Sequence, residues 1–212
     1  VAPHIIDAVF KAFEPFERYG FNKAHATCYG LIAYQTAYLK ANYPVEYMAS
    51  VLTAFRDNTD KVAIAIAECR RLGIEVRPPD VHRSGLHFTV EGDTIRFGLL
   101  AIKNVGGGAI ESIIAARSEG GEFRSLVDFC GRVDVRLANR RVLESLIKVG
   151  ALNSLGHPAQ LLVALDDALA AGQATQRDRL TGQVSLFDSG IDASPLERPL
   201  PVGIPEAPQR ER

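Results

Sequence analysis

Tryptophan is absent from the 212 residues, methionine occurs once, and aromatic residues make up only 8%. A carbohydrate site lined by stacked aromatic rings is therefore not expected. Cysteine is scarce, with Cys28, Cys69 and Cys130 far apart. An odd count at such spacing offers neither a disulfide framework nor a C-x-x-C metal pair, and suits reduced thiols in a cytosolic protein. No apolar run reaches the roughly 18 residues of a bilayer-spanning helix, and no stretch reads as a secretory signal peptide. A cytoplasmic location without a membrane partner is expected. Neither sign of charge dominates, with 24 Lys+Arg against 25 Asp+Glu and a net charge of −1. That balance excludes a bulk-basic nucleic-acid coat and an acidic tail protein, but not a local basic patch.

What is present is ordinary globular composition, 47% hydrophobic and 23% charged, with room for one or two domains. The chain starts at Val1 and reads at once as helix, so an interior piece of a larger protein is expected. Ile5, Ile6, Val9, Phe10 and Phe13 recur at helical spacing over residues 3–19, with Pro15 permitting a break. Further helices are expected over 24–41, 44–56 and 59–72. Met48, Val51, Leu52 and Phe55 share a face of the third, and Val62, Ile66 and Cys69 a face of the fourth. Thr59 reads as an N-cap and Gly73 as a C-cap. The period then changes to alternation at Ile74–Arg77. His87–Val90 and Thr94–Phe97 flank Glu91-Gly92-Asp93, which predicts a hairpin. Helices return over 99–103, 107–118, 125–132, 137–148 and 158–171. The polar stretch from Gly172 leads to a tail with Pro195, Pro199, Pro201, Pro205 and Pro208. Such a tail reads as disorder or linker. The expected fold is mainly α with a small antiparallel β element: a helical subdomain, a tandem helix-hairpin-helix unit and a disordered C-terminal tail.

Four segments carry chemistry. In Lys103-Asn104-Val105-Gly106-Gly107-Gly108 a short helix meets a tight turn and a second helix starts at once. Val105 plugs the turn, the glycines let a ligand approach, and the free N–H groups at the helix start form an anion site. A DNA phosphate, bound without reading sequence, suits it. This resembles a helix-hairpin-helix, with Asn104 where a glycine is usual, and Asn tolerates the left-handed conformation. An ordinary glycine-rich helix connection is the competing reading. A weaker second copy is read at Lys148-Val149-Gly150, after the basic helix start of Arg136, Arg140 and Arg141. Residues 96–150 hold nine Lys/Arg and six Asp/Glu, a net of 9 − 6 = +3 in a chain of net −1.

The third segment is Tyr19-Gly20-Phe21-Asn22-Lys23-Ala24-His25, followed by Tyr29 and Tyr34. Lys23 is a point charge suited to a triphosphate, and His25 can donate to phosphate. Asn22 can cap the next helix or touch a ligand. Tyr29 and Tyr34 read as adjacent helical positions able to pack near a base. A capped helix start with core tyrosines competes with that reading. The fourth is Gln183-Val184-Ser185-Leu186-Phe187, an extended peptide with Leu186 and Phe187 as apolar anchors and Gln183 as a polar clamp.

Together these motifs point to a family. Phe21 to His25, Tyr29-Gly30, Ala33 to Lys40 and Tyr43 to Met48 resemble the fingers of the bacterial C-family DNA polymerases, the DNA polymerase III alpha subunits. Asp57 to Val62 resembles the next helix start. Pro78 to Val81 and Ile95 to Leu99 resemble the small sheet, and Phe123 to Cys130 with Val142 to Lys148 the tandem hairpin region. Gln183 to Phe187 looks like the internal motif that binds the sliding clamp. The resemblance runs collinearly over roughly residues 5–188.

It implies a template-directed polymerase adding dNTPs to a primer end with two metal ions, Mg2+, held by aspartates outside this chain. This chain has no Asp-x-Asp pair, so no catalytic residue and no metal ligand is assigned to it. The implied division is 1–73 rear fingers, 74–98 β element, 99–172 tandem hairpins, 173–190 clamp-binding segment and 191–212 tail. Asn22, Lys23, His25, Tyr29 and Tyr34 would face nucleotide and template. Lys103 to Gly108, Arg136, Arg140, Arg141, Lys148 and Gly150 would hold the duplex. The expected partners are primer–template DNA, dNTP, the sliding clamp and other holoenzyme subunits. A non-catalytic DNA-binding adaptor carrying a clamp peptide and an error-prone paralogue of the family are the alternatives.

Overall fold

The computed structural model describes residues 2–17 and 22–181, and the chain divides into two units, Val1–Tyr47 and Met48–Arg212. The first unit holds helices α1 (Pro3–Glu17) and α2 (Lys23–Asn42) and the start of α3 (Pro44–Ala54). Pro15 lies inside α1 rather than ending it. α2 begins where the sequence places a cap: the Asn22 side chain accepts the His25 N–H at 3.1 Å. None of the α2 side chains is buried, and the apolar positions Ile5, Ile6, Val9, Phe10 and Phe13 of α1 are all exposed.

In the second unit α3 continues and buries Met48, Ala49 and Leu52, while α4 (Thr59–Arg71) buries Val62, Ala65 and Cys69. Phe55 stays at the surface, under the Lys61 ammonium. The cap of α4 is Asn58, whose side chain accepts the Lys61 N–H at 3.0 Å. Thr59 is thus the first helical residue, because Asn competes better for the capping position than Thr. Gly73, at φ 75°, closes the helix as expected.

Strands β1 (Glu75–Arg77), β2 (Thr89–Glu91) and β3 (Thr94–Arg96) form one sheet in the order β1-β3-β2. β2 and β3 are the predicted antiparallel hairpin, turning at Gly92 with φ 59°. β1 joins β3 in parallel, with Val76 opposite Ile95. The sheet is therefore mixed, whereas the sequence suggests a purely antiparallel element; the segment 78–88 returns the chain to the same end before β2 begins. Arg96, only 7% exposed, fixes this sheet by binding Glu91 at 2.7 Å and the Pro78 carbonyl at 3.0 Å.

The main core follows. It joins a 3-10 turn (Leu99–Ala101) with α5 (Gly107–Gly120), α6 (Leu126–Arg132), α7 (Arg140–Lys148) and α8 (Pro158–Thr181). Ile110, Ile113, Phe129, Leu143, Leu146, Ile147, Leu161 and Leu165 are fully buried there. α6 and α7 start at side-chain caps, Ser125 and Asn139, so α7 begins three residues later than the apolar spacing suggests. α8 packs on α6 and α7 and runs to Thr181, through the polar stretch read as its end. Two contacts hold this extension. A Cβ built on Gly172 would lie 2.5 Å from the Cys130 carbonyl oxygen, so only glycine permits the close approach. Gln176 Nε2 donates to the Cys130 and Val133 carbonyls at 2.9 and 2.6 Å, satisfying the end of α6. Burial pushes the Cys130 thiol up to about 12, so it behaves as a small apolar group.

Candidate nucleic-acid interface

The hairpin between the 3-10 turn and α5 has the geometry the sequence predicts. Asn104 takes φ 69°, the one positive value at a non-glycine position among the described residues. Val105 is 5% exposed and its N–H donates to the Ile102 carbonyl at 3.2 Å, so its side chain plugs the turn from inside. Gly106 caps α5 in extended conformation, with no side chain to fill the capping role. The Ile110 N–H reaches back to the Gly106 carbonyl at 3.2 Å. The Gly107, Gly108 and Ala109 N–H groups therefore precede the helical ladder and sum with the helix dipole into a positive end. A Cβ on Gly106 or Gly107 would meet nothing within 4 Å, so the space before the turn is open. Gly108 faces Leu137, 3.6 Å from its built Cβ.

One long-range contact joins this turn to α7. Asn104 Nδ2 donates to Ser145 Oγ at 3.2 Å, and Ser145 Oγ donates to the Arg141 carbonyl at 2.9 Å. At about 100° per residue, Arg141, Ser145 and Lys148 share one side of α7. The two basic segments read separately in the sequence thus meet at the hairpin. Lys103, Arg141 and Lys148 are exposed. Lys103 and Arg141 make no ion pair among the described residues, and Lys148 lies 3.7 Å from Glu144.

The other two arginines are engaged by carboxylates. Arg136 binds Asp134 at 2.8 Å, and its hydrogen bonds hold the Asp134 carboxyl below the usual carboxylate range. Arg140 binds Glu144 at 3.0 Å and Asp166 of α8 at 2.8 Å. Ser145, Glu144 and Asp166 are the residues that sequence reading missed. Ser145 lies four residues after Arg141 on a helix, but nothing in the sequence pairs it with a residue 41 positions away.

The second hairpin copy differs from the first. Gly150, at φ 81°, follows α7 as a helix-ending glycine: its N–H donates to Ile147 and that of Ala151 to Leu146. A second 3-10 turn (Asn153–Leu155) and Gly156 intervene before α8 starts at Pro158. Lys148-Val149-Gly150 therefore ends one helix and does not open the next. The Ala151 carbonyl accepts the Val81 N–H at 3.0 Å, and the Val81 carbonyl accepts Arg117 Nη1 at 2.8 Å, which ties the sheet region to both halves of the hairpin unit.

Lys23, His25, Tyr29 and Tyr34 lie in the first unit, exposed along α2, with Asn22 as its cap. Tyr29 stands by His25, ring centroids 4.4 Å apart, and Tyr34 by Tyr38 at 6.4 Å. The two tyrosines are thus on different sides of the helix, since five residues turn it by about 140°. Gln183 to Phe187 lie outside the described residues. Among the described residues no group of three or more His, Cys, Asp or Glu could hold a metal ion. No helix among them is long and apolar enough to cross a membrane.

Residues 73–161, from the sheet to the start of α8, match a family model described as a helix-hairpin-helix motif. The DNA polymerase III subunit alpha of Mycobacterium tuberculosis strain H37Rv is 44% identical over 200 residues, 94% of this chain and 17% of that protein. The Thermus aquaticus protein of the same name is 47% identical over 194 residues, 89% of this chain and 16% of the relative. That of Escherichia coli K12 is 48% identical over 181 residues, 84% of this chain and again 16% of the relative. The chain thus spans about a sixth of the length of these relatives. Along nearly its whole length it is homologous to a segment of the DNA polymerase III alpha subunits.

Proposed function

We propose that this chain is the DNA-gripping part of a template-directed DNA polymerase. The observation that carries the reading is the Asn104–Ser145 contact. It sets the open N-terminus of α5 beside Lys103 and Arg141, which make no ion pair among the described residues, and beside Lys148. Backbone N–H groups with flanking cations suit phosphate oxygens and carry no base information, so the grip slides along DNA irrespective of sequence. The close approach depends on Gly106 and Gly107, whose missing side chains leave the turn open.

Around this grip we assign the remaining parts. Residues 1–73 are the rear of the fingers, where Lys23 and His25 act electrostatically on the incoming dNTP and template, with Asn22, Tyr29 and Tyr34 around them. Residues 74–98 are the β element that braces the hairpin region of 99–172. Gln183 to Phe187, within 173–190, tether the protein to the sliding clamp and raise processivity through effective concentration. The divalent metal of nucleotidyl transfer belongs to the rest of the longer protein, and the 212-residue chain alone extends no primer. The protein works in the cytoplasm with other holoenzyme subunits.

Fluorescence anisotropy of the chain with two duplexes of unrelated sequence tests the grip. Equal affinities that vanish when Gly106 and Gly107 are both replaced by leucine are expected. Strong preference for one sequence, or binding that survives the double replacement, overturns it.

A further inference from the structure

Arg140 stands apart from the other cations of the interface. It opens α7, next to Arg141, yet its guanidinium is held from two sides. Nε lies 2.8 Å from Asp166 Oδ1 on α8, and Nη1 lies 3.0 Å from Glu144 Oε1 on its own helix. Around the α7 axis the order is Arg140, Glu144, Lys148, Arg141, Ser145, at steps of about 20 to 40°. Arg140 therefore lies about 140° round α7 from Ser145, on the side where it meets Asp166 of α8, with Glu144 between it and Lys148. Asp166 and Arg140 are both exposed, their side chains at 71% and 58%. A pair so open to water is loosely held, and a phosphate can take the place of the carboxylate on the same guanidinium.

We propose that Asp166 is a competitor for the DNA backbone. In the unaltered chain it holds Arg140 and keeps a phosphate off it, so it lowers the affinity of the grip. This inference rests on the proposed duplex binding and adds the element that limits it. Asp167, the next residue on α8, is also exposed and makes no ion pair among the described residues. It is the natural control for a mere change of net charge.

The test is duplex affinity of the 212-residue chain over a range of salt concentrations. Freed from its partner, Arg140 adds one phosphate contact, so Asp166→Asn should tighten binding about 3- to 10-fold at low salt and steepen log K against log[salt] by about 0.9. Asp167→Asn should give a smaller gain with an unchanged slope. Arg140→Ala added to Asp166→Asn should cancel both gains. A gain equal to that of Asp167→Asn, or one that survives Arg140→Ala, overturns the competition while leaving the DNA reading intact. Absence of any binding by the unaltered chain overturns both.

Discussion

Gly107→Ala separates a structural role of the hairpin glycines from a ligand-contacting one. Gly107 is the first residue of α5, and a Cβ there meets nothing within 4 Å. Its backbone is already helical, so alanine fits without strain and restricts the unfolded chain. That stabilises the fold by about 0.4–1 kcal/mol, or a rise of roughly 1–4 °C in Tm for a unit of this size. Binding should move the other way. The added methyl stands where a phosphate must come within hydrogen-bond distance of the α5 N–H groups. Hydrogen bonds to a charged group contribute about 1.5–3 kcal/mol, which corresponds to roughly 10- to 150-fold in Kd. Thermal unfolding and duplex anisotropy on the same preparation read both. A variant with raised Tm and lost affinity bears the reasoning out. Unchanged affinity, or a Tm that falls with it, would refute it.

Gly172→Ala should do the opposite at the α6–α8 crossing. Its methyl collides with the Cys130 backbone at 2.5 Å, so a loss of about 1–3 kcal/mol is expected in urea unfolding, and unchanged stability would contradict the packing described. At the sheet, hydrogen bonds from Arg96 hold the Glu91 carboxyl below its ordinary range. Its contribution is therefore full at neutral pH and disappears as pH falls through that lowered value. Glu91→Gln should accordingly be less stable than the parent at pH 7 and converge with it in acid; a gap that persists in acid would sink this reading. A peptide of residues 180–189 should bind a cognate sliding clamp in calorimetry, and Leu186→Ala with Phe187→Ala should abolish the heat. Equal binding by the doubly changed peptide would refute the tether.

Much of this was legible from local rules. Helix positions follow from apolar spacing at Met48, Leu52, Val62 and Cys69 and from breaks at Gly73 and Gly92, because those signals act within one turn of the chain. The first hairpin was legible for the same reason: Asn104, Val105 and Gly106 each have a conformational role that depends only on neighbours. What escaped is long-range. The parallel pairing of β1 with β3 depends on where the eleven residues between β1 and β2 lead. The Asn104–Ser145 and Arg140–Asp166 pairs span 41 and 26 positions. Nor could the sequence show that Gly150 closes α7, since a glycine after a helix and a glycine before one look alike until the next helix is located. The extension of α8 past Gly172 was masked similarly: a polar, glycine-containing stretch became helix because Gln176 and the bare Gly172 fit against α6.

The central claim is that Lys103, Arg141 and Lys148 meet DNA phosphates around an open helix end. The salt dependence of duplex binding by the 212-residue chain tests it most directly. Three phosphate contacts predict a slope of log K against log[salt] of about −2.7, reduced to about −0.9 when Arg141 and Lys148 are both replaced by alanine. A slope near zero, or one that the double replacement leaves unchanged, would contradict it.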